Sequence, residues 1–313
     1  MDNTLQAVYG KYFKEMLALS HAPAKIDETN IYQEANPDLE KYMNMILDEN
    51  FLPGSGLGNI DNFRKFYDMV AKEGKKGLIL MEHYTNLDLP ALIHLLAIQG
   101  EEWAADFSRR IVAVAGMKLN EQSAGVRVWT EGFTRVVIYP TRSLDKVEQS
   151  NASAEEIKAE EQKARKINFA AMRAMDECKR RGQIILVFPS GTRYRPGKPE
   201  TKKGLKEIDS YLRLFDVFLP VSINGNALRI NPENPEDMLA DLVTKDRVLL
   251  TAHEPVECKP FRDGVLAKLP ADEPDPKQKT IDAVMEMLEI QHNEVEKTIY
   301  SYCPLAVARV VCQ

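Results

Sequence analysis

Cysteine is scarce: the 313 residues include four, Cys178, Cys258, Cys303 and Cys312. No two of them are closely spaced, which excludes a zinc ribbon, a Cys-x-x-Cys redox motif and a dense disulfide framework. So few thiols in so long a chain point to a reducing compartment, with the cysteines as packing or surface residues. Long apolar runs are also absent. The best stretches, 91–98 and 184–188, fall far short of the roughly 20 residues a helix needs to cross a bilayer, so no transmembrane anchor is expected. No arginine precedes Arg64, while Asp2, Glu15, Asp27 and Glu28 are acidic. That combination fits neither a secretory leader nor an organellar transit peptide, and the expected location is the cytosol. Excess positive charge is missing too, and a formal net charge of −6 argues against a general nucleic-acid binder. No His/Cys/Asp cluster has metal-ligand spacing, so no metal or other cofactor is expected. The chain also lacks a Gly-x-Ser-x-Gly elbow, which disfavours a serine hydrolase.

Hydrophobic residues make up 44% of the sequence, enough for a substantial core. Through the first seventy or so residues they recur at helical spacing: Leu5, Val8, Tyr12, Met16 and Leu19, then Leu39, Tyr42, Met43, Ile46 and Leu47, then Ile60, Phe63, Phe66, Tyr67 and Val70. Residues 1–74 therefore read as a small helical domain. From Gly77 the pattern changes to short apolar runs alternating with helical stretches. Strands are expected at Leu78 to Met81, Ile111 to Ala115, Arg135 to Tyr139, Gln183 to Phe188, Phe218 to Ile223 and Arg247 to Ala252. Residues 75–313 accordingly read as an α/β domain, a mostly parallel mixed sheet with helices on both faces. The longest helix is expected over 154–181, acidic in its first half and basic at its end. This polarity complements the helix dipole and needs no ligand, charge runs being usually solvated faces; an acidic partner at the basic end is the lesser alternative.

In such sheets chemistry gathers where strands end and loops enter helices. The strand at Leu78 to Met81 delivers His83-Tyr84-Thr85-Asn86-Leu87-Asp88 onto such a turn. An Asp beside a His can hold Nδ1–H and leave Nε2 to take a proton. The same residues also allow a plain helix start, with Asn86 or Asp88 as the cap and Pro90 in the first turn. A second strand runs into Phe188-Pro189-Ser190-Gly191-Thr192-Arg193-Tyr194-Arg195. In extended chain Arg193 and Arg195 project to one side, where two guanidinium forks suit a phosphate or carboxylate; solvated arginines on a surface loop are the alternative. Arg142 follows a third strand in Tyr139-Pro140-Thr141-Arg142.

His83-x4-Asp88, Tyr139-Pro140-Thr141-Arg142, the block from Phe188 to Arg195 and Leu219-Pro220-Val221-Ser222-Ile223 occur in the order of the four blocks of the glycerolipid acyltransferases. Within that group the chain most resembles the soluble glycerol-3-phosphate 1-acyltransferases of the plastid and bacterial type. The marks of that branch are the helical segment before the His block, Pro-Ser-Gly at 189–191 and the Arg-x-Arg-Pro run at 193–196. The resemblance implies transfer of a fatty acyl group from acyl carrier protein or coenzyme A to the sn-1 hydroxyl of glycerol 3-phosphate. It implies His83 as the base, Asp88 as its support, and Arg142, Arg193 and Arg195 on the phosphate. Ser143 stands where the plastid enzymes have a histidine. Ser190 and Gly191 are expected at the oxyanion or a backbone contact.

The rival readings are a lysophosphatidate acyltransferase and a non-catalytic protein of the same fold that binds a phospho-ligand or acyl carrier protein. The basic helix end, with Lys198, Lys202, Lys203 and Lys206, suits acyl carrier protein and coenzyme A phosphates alike. A peripheral contact with the inner face of the membrane is expected of an enzyme whose product is a lipid.

Overall fold

The computed structural model describes residues 2–141, 143–144 and 152–301. Among them are β1 (Tyr32–Gln33), β2 (Gly56–Gly58), β3 (Gly77–Met81), β4 (Ile111–Gly116), β5 (Arg135–Ile138) and β6 (Ile184–Val187), followed by β7 (Val217–Asn224), β8 (Leu228–Arg229), β9 (Leu242–Val243), β10 (Leu249–Ala252) and β11 (Val256–Glu257). Nine of these form one sheet in the order β1-β5-β4-β6-β3-β7-β10-β2, with β11 also on β7; β8 and β9 make a separate ribbon. The five middle strands, β5-β4-β6-β3-β7, are parallel throughout, while β1, β10 and β11 join antiparallel. The fold is thus α/β with a mostly parallel mixed sheet, as the alternation of apolar runs and helices implies.

β3 lies at the centre, in register with β6 through Ile79 and Leu186 and with β7 through Ile79 and Leu219. All five of its residues are buried, as expected of a strand covered on both faces. Its side chains alternate between two cores. Ile79 and Met81 join Leu186, Leu219 and Val221 on one face, and Leu78 and Leu80 join Ile185, Val187 and Phe218 on the other. The first face is covered by helices Pro37–Asn50, Ile60–Ala71, Asp88–Ala97 and Glu102–Arg110, the second by Ala154–Arg180, Asp209–Leu214 and Pro276–Ser301. The Ala154–Arg180 helix starts in a capping box between Ser153 and Glu156 and buries Ala164, Ile167, Ala171, Met175 and Cys178.

The N-terminal residues are woven into the same sheet. β1 lines the edge of β5 through Tyr32 and Val136, and β2 runs along β10. Leu5, Tyr9, Met43, Leu47, Phe63 and Phe66 lie in one core with Ile79 and Leu219. Helical periodicity describes most of this segment but misses its two strands. They are only two and three residues long, too short to carry an alternating pattern.

Candidate active site

β3 stops at Met81, and the chain turns through His83 to Asp88, the first residue of the Asp88–Ala97 helix. His83 Nδ1 lies 2.9 Å from Asp88 Oδ2. The same oxygen accepts the backbone N–H of Tyr84 at 2.6 Å and of Thr85 at 2.9 Å. Asp88 therefore does not cap its own helix, whose preceding residue, Leu87, makes no side-chain cap bond. It ties down the loop that carries His83, and Thr85 Oγ1 adds a further brace by accepting the Leu87 N–H at 2.6 Å. A carboxylate only accepts, so this geometry puts the imidazole proton on Nδ1 and the lone pair on Nε2. Nε2 has no hydrogen-bond partner among the described residues, and the side chain is 16% exposed. Phe188 stacks on the ring at 3.9 Å and 15°, which fixes its plane. A proton acceptor is held in one orientation with its basic nitrogen open.

Phe188 belongs to the loop after β6, which is β3's neighbour in the sheet, and the Tyr194 N–H donates to the His83 carbonyl at 2.7 Å. The two expected loops thus meet. Gly191 turns the second one, with φ at +63°; a Cβ there would meet Leu205 Cδ1 at 2.4 Å, so only glycine fits. The Gly191 N–H donates to the Phe188 carbonyl at 2.9 Å. Ser190, 5% exposed, donates its hydroxyl to the Thr192 carbonyl at 2.7 Å. Both donors expected near the oxyanion are engaged inside their own loop.

Arg193 and Arg195 reach the same segment of chain, but each meets a carboxylate there. Arg193 pairs with Asp241, and the two side chains are 8% and 0% exposed. Burial pushes the Asp241 carboxyl up to about 6 against the pull of Arg193. Asn86 Nδ2 approaches the same carboxylate at 3.5 Å, which links the His83 loop to this pair. Arg195 grips Glu236 with both Nη1 and Nη2, the second at 3.2 Å. Arg142 lies outside the described residues; Ser143 is helical and donates its backbone N–H to the Pro140 carbonyl at 2.9 Å.

Beside His83 the structure adds residues for which the sequence gives little warning. A narrow recess is lined by Glu82, His83, Tyr84, Ser190, Tyr194 and Lys202, among others. Glu82 is 4% exposed. It accepts from the Tyr84 hydroxyl at 3.1 Å and from the Ile223 N–H at 2.8 Å, and lies 3.0 Å from His292 Nδ1. Burial pushes the His292 imidazolium down, and the hydrogen bond and charge of Glu82 outweigh it, leaving His292 above its ordinary range. Burial also raises the Tyr84 phenol. A second His–carboxylate pair thus backs the first and ties the Pro276–Ser301 helix to the end of β3. Glu82's place beside His83 was the one available signal; nothing near position 292 marks its partner.

Among the described residues, no group of three or more His, Cys, Asp or Glu side chains is arranged to hold a metal ion. Cys178 and Cys258 are buried and unpaired, and burial pushes their thiols up to about 11 and about 12, away from thiolate chemistry. No helix of the described residues is long and apolar enough to cross a membrane. The sequence matches no protein-family model and no curated protein.

Proposed function

We propose that this chain transfers a fatty acyl group from an acyl thioester, on acyl carrier protein or coenzyme A, to the sn-1 hydroxyl of glycerol 3-phosphate. The observation that carries this reading is the His83–Asp88 pair, at 2.9 Å, with Nε2 open on the sheet edge that it shares with Arg193 and Arg195. A base without a neighbouring nucleophile suits direct transfer to an acceptor hydroxyl rather than an acyl-enzyme. Nε2 takes the hydroxyl proton as the oxygen attacks the thioester carbonyl. The tetrahedral intermediate collapses, the C–S bond breaks, and the departing sulfur takes the proton back from the imidazolium. Asp88 keeps Nδ1–H in place and stabilises the transient positive charge.

The acceptor's phosphate exchanges with Glu236 on Arg195, whose partner is exposed at the rim. Arg193, held by buried Asp241, sets the depth of that site, and Arg142 completes it by its resemblance to the family's basic residue. The four ordered sequence blocks support the family; the juxtaposed loops after β3 and β6 support the division between base and anion site. The test is to incubate pure protein with an acyl thioester and either glycerol 3-phosphate or lysophosphatidate. We expect 1-acyl-glycerol 3-phosphate from the first. Acylation of lysophosphatidate alone would favour the rival acceptor, and no product from either would favour the non-catalytic binding protein.

A further inference from the structure

The Ala154–Arg180 helix carries an apolar spot on the side away from its core. Phe169 and Met172 are 61% and 51% exposed. Three residues apart, they are neighbours on the helix surface. Arg165 and Arg173 flank Phe169 one turn before and after it, and Lys166 lies alongside; all three are exposed, and none has an ion-pair partner among the described residues. The acids further along are neutralised, Asp176 by Lys179 and Glu177 by Arg180. Glu161 stands one turn before Arg165, so in a chain of net charge −6 this face presents a net positive cluster around two bare apolar side chains.

That composition selects its occupant. A stable protein interface buries about 800 Å² on each partner, far more than one Phe and one Met provide. A second copy packed symmetrically on this face would set Arg165, Lys166 and Arg173 against their own equivalents. An anionic lipid surface satisfies both features, since the aromatic and thioether side chains enter the headgroup boundary while the cations meet lipid phosphates. The patch also has a defined place in the fold. Asn168, next to Phe169, accepts the Tyr139 N–H at 2.9 Å and donates to the Tyr139 carbonyl at 3.0 Å. Tyr139 directly follows β5, so the patch lies level with the strand ends on which His83 stands.

We propose that the outer face of this helix, centred on Phe169 and Met172 and flanked by Arg165, Lys166 and Arg173, docks the protein on anionic lipid membranes. Docking does not depend on the acyl-transfer reading, and its test needs no catalysis. The full chain is floated with vesicles of phosphatidylcholine alone or mixed with phosphatidylglycerol. It is expected to rise with the mixed vesicles only. Each basic residue near an anionic surface strengthens binding about fivefold, so the triple variant R165E/K166E/R173E should bind at least about tenfold more weakly. F169S/M172S should also lose binding, with an unchanged circular dichroism spectrum because both side chains are exposed. Wild-type protein that stays unbound to mixed vesicles, or variants that float as well as wild type, would overturn the proposal. So would concentration-dependent dimerisation, or capture of acidic acyl carrier protein, that the variants abolish while the wild type ignores lipid.

Discussion

The loops after β3 and β6 lie side by side and divide the proposed chemistry, yet they are built in opposite ways. The hydrogen bonds of the His83–Asp88 pair come from within six residues, where Tyr84 and Thr85 fix His83's partner, and Phe188 and Tyr194 of the neighbouring loop are laid against them. The arginine loop is completed from far away, with Arg193 and Arg195 held by Asp241 and Glu236, 48 and 41 residues further on. A local device can lose its reactive group and keep its shape. A buried ion pair cannot lose one partner without leaving an unpaired charge behind. The contrast predicts which substitutions change rate and which change stability.

The largest effect falls on the distant pair. Arg193→Ala strands Asp241 in the interior and should cost about 3–5 kcal/mol in urea unfolding at neutral pH. An unchanged midpoint would mean that the pair is not a structural tie. Next comes Asp88→Asn, in which the backbone N–H groups of Tyr84 and Thr85 still find an oxygen. The amide oxygen takes the place of the one oxygen that serves Nδ1–H and both backbone groups, and the negative charge that supports the imidazolium is lost. We expect kcat to fall about tenfold or more with little change in KM; full activity would remove Asp88 as the orienting group. Arg195→Ala should raise the KM for glycerol 3-phosphate about tenfold, the value of one charge-assisted contact, and leave kcat within a few fold. An unchanged KM would take Arg195 out of the phosphate site.

The buried pair also carries a pH signature. Burial raises the Asp241 carboxyl from 3.8 to about 6, so the folded chain binds this proton more tightly than the unfolded chain does. Its contribution to stability is complete below about 4 and is lost as pH rises through about 6. Asp241→Asn should flatten this part of the stability curve. Urea midpoints at a series of pH values check it, and an identical slope in the variant would contradict it.

The same distinction explains what the sequence makes legible. Leu78 to Met81 and Ile184 to Val187 announce themselves as uninterrupted apolar runs, because strands covered on both faces must be apolar throughout. The edge strands β1, β2 and β11 are two or three residues long and exist only because a longer strand accepts them. At the site, His83 and Asp88 are legible because their spacing spans one turn. Arg193 and Arg195 are legible as a pair, since alternate residues in extended chain face one way, but their occupancy by Asp241 and Glu236 is a property of the folded chain. Glu82 and His292 meet across 210 residues, with no local pattern to announce it.

The measurement that bears most directly on this account is acceptor-dependent release of thiol from an acyl thioester by wild-type protein and His83→Ala. Wild type should release thiol only when glycerol 3-phosphate is present, in step with 1-acyl-glycerol 3-phosphate. His83→Ala should unfold at the same urea concentration and turn over about a hundredfold more slowly or worse. Wild-type turnover by His83→Ala, or no acceptor-dependent release from either donor by the wild type, would contradict it.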